Sequence, residues 1–176
     1  GAEVERIETD DWMVQAQHIQ ERARQLEAAG KKVYVGRMGN ERQLGRYVCG
    51  YVQALVEIIE QAETFDLDID EIWVCSSDAT QAGLALALAH LQSPIRLVGI
   101  PAVPAPIVPG WTFSQCMAHF ANQCAQILDF PTRLTPAQVI SNTDYVGPGY
   151  GIVTPTGREA MKLVATCEGI VLDPVY

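Results

Sequence analysis

Two short apolar runs, IWVC at Ile72–Cys75 and IRLVGI at Ile95–Ile100, flank a helical pattern built almost wholly of small and aliphatic residues, ATQAGLALALAHL. This unit constrains the chain more than any other feature. Short apolar runs bounded by turn residues read as buried strands, and the longer run between them reads as a helix. Strands that alternate with helices favour a mainly parallel sheet covered by helices on both faces. The expected class is therefore α/β, a three-layer sandwich.

The same alternation extends in both directions. Residues 2–7 read as a short strand, and Asp10 and Asp11 offer N-caps to a helix that Gly30 stops. Lys32–Arg37 reads as a strand. A helix of about Arg46–Glu63 buries Tyr47, Val48, Tyr51, Val52, Leu55, Ile58 and Ile59 at helical spacing. Strand Glu71–Cys75, helix Ala79–Leu91 and strand Ile95–Ile100 follow. The segment PAVPAPIVPG has too many prolines to be regular. Beyond it come helix Thr112–Leu128, a strand at Ala137–Ile140, helix Gly157–Cys167 closed by Gly169, and a strand at Ile170–Leu172. The acidic linker TFDLDID divides the chain into part of a smaller α/β domain, 1–64, and part of a larger one, 65–176.

Composition excludes several classes. With 176 residues, 48% of them apolar, the chain can bury one sizeable core or two small ones. A formal charge of −9 argues against nucleic acid or an anionic membrane as partner. No apolar run is long enough to span a bilayer. Five scattered cysteines without a CxxC pair read as reduced, buried thiols in a cytoplasmic protein. His18, His90 and His119 have no second ligand at metal spacing, so no metal site is expected. The start without methionine and the stop straight after an apolar run read as the ends of a piece of something longer.

Two clusters carry candidate chemistry. The turn SSDATQAGL opens a helix, whose N-terminal amides favour an anion, and Ser76, Ser77 and Thr80 add hydroxyls. The same residues also make a plain strand-to-helix turn capped by Ser77 or Asp78, and the negative Asp78 suits that cap better. The glycines of DYVGPGYG allow the backbone close to a ligand, with Tyr145 and Tyr150 as hydroxyl donors; the bland reading is a tight connection with aromatic plugs.

Taken together, GAEV, AAGKKVYV, IWVCSSDATQAGL, PIRLVGI and above all YVGPGYGIVTPTGREAMKLVATCEGIVLDPVY resemble the D-cysteine desulfhydrase and 1-aminocyclopropane-1-carboxylate (ACC) deaminase family. The resemblance runs from end to end. It implies a fold-type II pyridoxal-phosphate enzyme related to the tryptophan synthase β-subunit, here incomplete. It implies pyridoxal 5'-phosphate as cofactor, with Ser76, Ser77, Asp78, Ala79 and Thr80 facing its phosphate. It implies Tyr150 and Tyr176 as active-site tyrosines, a small amino acid as substrate, a 2-oxo acid and ammonia as products, and a homodimer. The departures are specific. Family glycines in the phosphate loop become serine, alanine and Asp78, and none of Lys31, Lys32 and Lys162 falls where the Schiff-base lysine belongs. The resemblance thus implies either part of a lyase or deaminase that is inactive alone, or a degenerate relative that binds a small anion or a protein.

Overall fold

The computed structural model describes residues 3–9, 11–36 and 41–176. The chain divides into two compact units, Gly1–Gln43 and Leu44–Tyr176.

The first unit is built on helix α1, Trp12–Ala28. Asp11 caps it, its carboxylate accepting from the backbone N–H of Met13 at 2.8 Å and Val14 at 3.3 Å; Asp10 lies outside the described residues. Gly30, at φ +77°, stops the helix in a Schellman turn, with Lys31 N–H bonded to Leu26 C=O and Gly30 N–H to Glu27 C=O. Residues 3–9 form no strand. Glu3 and Glu5 instead pair with Arg22, and Glu5 also meets His18, so the segment follows α1 through side chains. Residues 32–36 are likewise irregular, and Tyr34 is 86% exposed. A strand needs a ladder partner for its backbone groups, and no strand is present among the described residues of this unit; Arg37, the end of that expected strand, is not described.

The second unit is an α/β sandwich on parallel strands. Helix α2 is Glu41–Thr64, β1 is Glu71–Cys75, α3 is Ala79–His90, β2 is Arg96–Ile100, α4 is Phe113–Ile127, β3 is Ile140–Ser141 and α5 is Pro155–Glu168. The sheet order is β1-β2-β3, with Trp73 opposite Val98 and Val98 opposite Ile140. Strand alternation points Ile72, Val74, Leu97 and Gly99 towards α3, and Trp73, Cys75, Val98 and Ile100 to the other face. α4 packs beside α3, and α2 stacks on it. α5 lies beyond the opposite face, where Cys75 and Ile100 share a cleft with Gly157, Ala160 and Met161.

α3 is buried almost all round, which explains its small residues. Gly83 lets α2 approach: a Cβ there would stand 2.5 Å from Tyr51 Cβ and 2.6 Å from Val48 C=O. Val48 and Leu55 of α2 are fully buried in the same core as Leu86, Met117 and Phe120. α2, which precedes the acidic linker, therefore contributes to the core that follows it. α4 carries a capping box, with Thr112 Oγ1 accepting from Gln115 N–H and Gln115 Oε1 accepting from Thr112 N–H.

Two expected strands are corrected. Pro136–Gln138 is a 3-10 turn in place of the first part of Ala137–Ile140. Pro136 fits the start of that turn, and Gln138 Oε1 takes the Thr135 N–H at 2.9 Å, so the backbone is satisfied locally and only Ile140–Ser141 joins the sheet. Ile170–Leu172 is irregular, with Val171 86% exposed and no ladder beside it.

Two substitutions on neighbouring helices should move stability in opposite directions. Gly83→Ala adds helix propensity worth about 1 kcal/mol, but its Cβ meets the backbone of α2, and overpacking costs about 1–3 kcal/mol. Gly50, on α2, has nothing within 4 Å of an added Cβ. Urea unfolding is expected to show Gly83→Ala destabilised and Gly50→Ala stabilised.

Cys124 yields a pH dependence. Burial, with help from Cys49, pushes its thiol from 9.0 up to about 12. The unfolded chain releases this proton more readily than the folded one, so the contribution to stability is complete below pH 9.0 and lost as pH rises towards about 12. Unfolding free energy should fall across that window in the wild type, and less steeply in Cys124→Ala.

Candidate functional site

β1 and β2 end side by side, and the chain leaves both into turns. Ser76 N–H continues the ladder to Ile100 C=O at 2.9 Å. Ser76 is buried, and its Oγ accepts from the N–H of Asp78 at 3.3 Å and of Gln81 at 3.2 Å. Ser77 Oγ accepts from Ala102 N–H at 2.8 Å and ties the two strand-end turns together. Asp78 is the N-cap of α3, its carboxylate accepting from Ala79 N–H at 2.6 Å. Ala79 is buried, and Thr80 is half-buried on the first turn.

This turn has the layout of an anion site, but three of its backbone amides are already engaged. The N–H groups of Asp78, Ala79 and Gln81 are all held by side chains of the turn itself. A phosphate carrying roughly two charges would have to displace a hydroxyl and also the like-charged carboxylate of Asp78. As folded, these three amides do not offer a phosphate an open set of donors.

Beside the turn, at the same strand ends, lies a cleft of about 240 Å³. One wall is Cys75, Ile100 and Ala102; the others are the glycine-rich turn, α5 and the segment ending in Tyr176. The glycines allow the turn to fold back on itself. A Cβ on Gly147 would meet Thr154 Cγ2 at 3.1 Å and Ile152 C=O at 3.3 Å, and Gly151 has φ +72°. Thr154 then caps α5, accepting from Gly157 N–H at 3.0 Å, with Pro155 at the first helical position.

Tyr176 lines this cleft, and its hydroxyl oxygen lies 3.0 Å from that of Tyr150, 26 residues earlier. Their rings are edge-on, with centroids 5.9 Å apart. Tyr145 also lines the cleft and is largely exposed. Asp173 sets the terminal turn: its carboxylate accepts from Val175 N–H at 2.8 Å and Tyr176 N–H at 2.9 Å. Those two bonds hold its carboxyl below the usual range, with the Tyr176 N–H the larger cause. Cys75 donates weakly to Val175 C=O at 3.7 Å, and burial pushes its thiol up.

Cys75 and Asp173 are the residues that reading by motif missed. Asp173 was accessible in principle, because Asp-Pro opens a turn and an Asp side chain bonds amides two and three residues on. Cys75 gives no such signal; only strand alternation puts it on the cleft side.

A family model described as "Pyridoxal-phosphate dependent enzyme" matches residues 1–176. The chain belongs to the pyridoxal-phosphate-dependent enzyme family. It is similar to a solved chain described as an ACC deaminase homologue, at 28% identity and a TM-score of 0.76. That likeness covers 97% of this chain and 49% of the other, so the chain spans about half the length of that relative. The fold is that of a fold-type II pyridoxal-phosphate enzyme. Among the described residues no helix is long and apolar enough to cross a membrane, and no cluster of His, Cys, Asp or Glu is placed to hold a metal.

The closed turn has a direct test. In Asp78→Gly the carboxylate is gone and the Ala79 N–H is released. Adding phosphate at constant ionic strength is expected to raise the melting temperature of this variant and to leave the wild type unchanged. Equal stabilisation of both proteins would show that the wild-type turn is open.

Proposed function

We propose that this stretch supplies the substrate-side tyrosine wall of a pyridoxal-phosphate-dependent lyase or deaminase of the D-cysteine desulfhydrase or ACC deaminase type. The reaction would convert a small amino acid to a 2-oxo acid and ammonia. The observation that carries the reading is the convergence of Tyr150 and Tyr176 to a 3.0 Å hydroxyl contact at the strand ends. Two hydroxyls in contact can pass a proton between them, and Tyr176, which lines the cleft, can donate to or accept from a group there. A cleft of about 240 Å³ suits a small substrate.

Asp173 fixes the backbone of Tyr176, and the folded glycine turn fixes Tyr150. The pair is thus held from two directions, which is how a proton-transfer site limits the motion of its groups. None of the three lysines lines the cleft: Lys31 and Lys32 belong to the first unit, and Lys162 is exposed on α5. The reading therefore takes the cofactor lysine from polypeptide outside these 176 residues. No step is assigned to the Ser76–Thr80 turn, where three backbone amides are engaged. On its own the chain is inactive under this reading.

A second reading is favoured by one observation, the Asp78 carboxylate on the Ala79 amide. It makes the chain a degenerate, non-catalytic relative with a self-capped helix that binds a small anion or a protein partner.

The test uses the protein that joins this stretch to its lysine-bearing region. Under the first reading it releases 2-oxo acid and ammonia from D-cysteine or from ACC. Tyr150→Phe and Tyr176→Phe should each lower kcat by about 10²–10⁴-fold, the scale of a lost proton-transfer group, with cofactor absorbance retained. A folded protein that turns over neither substrate supports the second reading. The isolated 176-residue chain, incubated with pyridoxal phosphate and borohydride, is expected to give no stoichiometric adduct on a single lysine.

A further inference from the structure

The sulfur atoms of Cys49, on α2, and Cys124, on α4, are 3.2 Å apart, and both are free thiols. The helices approach closely here. One turn before Cys49, a Cβ on Gly45 would stand 3.0 Å from Gln123 Cβ, the neighbour of Cys124. The pair has an open and a closed end: Cys49 is half-buried, while Cys124 is fully enclosed by the core. Their contact joins parts of the chain 75 residues apart.

We propose that Cys49 and Cys124 are a redox modification site, closing to an α2–α4 disulfide when Cys49 meets a hydroperoxide. A disulfide needs a sulfur separation of about 2.05 Å, so the two atoms must close by roughly 1 Å, within the reach of small side-chain rotations. The chemistry runs in two steps. Cys49 sulfur attacks the terminal peroxide oxygen, the O–O bond breaks, and an alcohol leaves, giving a sulfenic acid. Cys124 sulfur then attacks the Cys49 sulfur. Its proton joins the departing hydroxide as water, and the S–S bond forms. In sum, two thiols and one hydroperoxide give a disulfide, an alcohol and water, with both electrons passing from sulfur to the peroxide.

Exposure sets the order. The raised Cys124 thiol is a poor nucleophile towards a reagent in solution, and the core shields it. Against a sulfenic acid already in contact, proximity offsets that weakness. Once formed, the bond staples α2 to α4 across the packing around α3 and restricts the unfolded chain more than the folded one.

The experiment treats the reduced chain with a slight excess of hydrogen peroxide, unfolds it, alkylates free thiols and measures intact mass without reductant. Two of the five cysteines should escape alkylation, and a single cross-linked peptide pair should contain Cys49 and Cys124. The oxidised protein should melt at a higher temperature than the reduced one. Cys49→Ser should abolish the cross-link and leave Cys124 fully alkylated. Cys124→Ala provides a second, independent arm, in which Cys49 stops at a sulfenic acid that dimedone captures. Alkylation of both cysteines after peroxide, or a cross-link to any other cysteine, would overturn the proposal.

Discussion

Buried Gln81 joins three parts of the second unit through its side chain and its backbone. Its Nε2 donates to Ile140 C=O at 2.7 Å, and its Oε1 accepts from Ser141 Oγ at 3.3 Å. A two-residue edge strand has little ladder of its own, and this amide holds β3 in register with β2. The backbone N–H of the same residue is taken by Ser76 Oγ, which closes the turn before α3. The arrangement requires Gly99 on β2, because a Cβ there would collide with the Gln81 amide. One residue thus couples the sheet edge, the central helix and the turn that opens it. Breaking a buried amide network of this kind strands its polar partners away from water, which is why it behaves as a unit.

That coupling gives the strand ends two unlike sites. The turn is satisfied internally: serine hydroxyls and a carboxylate hold the amides that an anion would need. The neighbouring cleft lies between the strand ends, α5 and loops that the glycines and Asp173 shape, and Tyr176 on its wall meets the Tyr150 hydroxyl. The two lie on the same strand ends but differ in what they offer a ligand. The cleft presents polar groups, whereas the turn holds three of its amides with its own side chains. The Ser76 hydroxyl and the Asp78 carboxylate account for this, since each places an acceptor against the turn's amides.

Much of this was legible from the residues. The β1–α3–β2 unit lies where apolar periodicity places it, because a helix buried on all sides and two strands inside a sheet leave strong patterns. The Tyr150–Tyr176 convergence was implied by a resemblance, and spacing alone does not reveal it. Three expected strands failed for one reason. Residues 3–7, 32–36 and 170–172 have strand-like composition, but a strand is defined by its neighbour, and the sequence does not state whether one exists. The Ala137–Ile140 segment failed differently: Pro136 and the Thr135–Gln138 cap satisfied the backbone locally before a ladder could. The acidic linker TFDLDID read as a boundary, and Val48 and Leu55 before it share a core with Leu86 and Phe120 after it.

The state of three backbone amides decides the account. Nitrogen-15 labelled chain titrated with inorganic phosphate, and separately with pyridoxal phosphate, reports on the Asp78, Ala79 and Gln81 resonances one by one. If those N–H groups are held by Ser76 and by the Asp78 carboxylate, all three stay fixed while residues of the tyrosine cleft remain free to respond. Saturable, concerted shifts of the three amides with either ligand would contradict it, because they would show an anion seated where the chain's own side chains are placed.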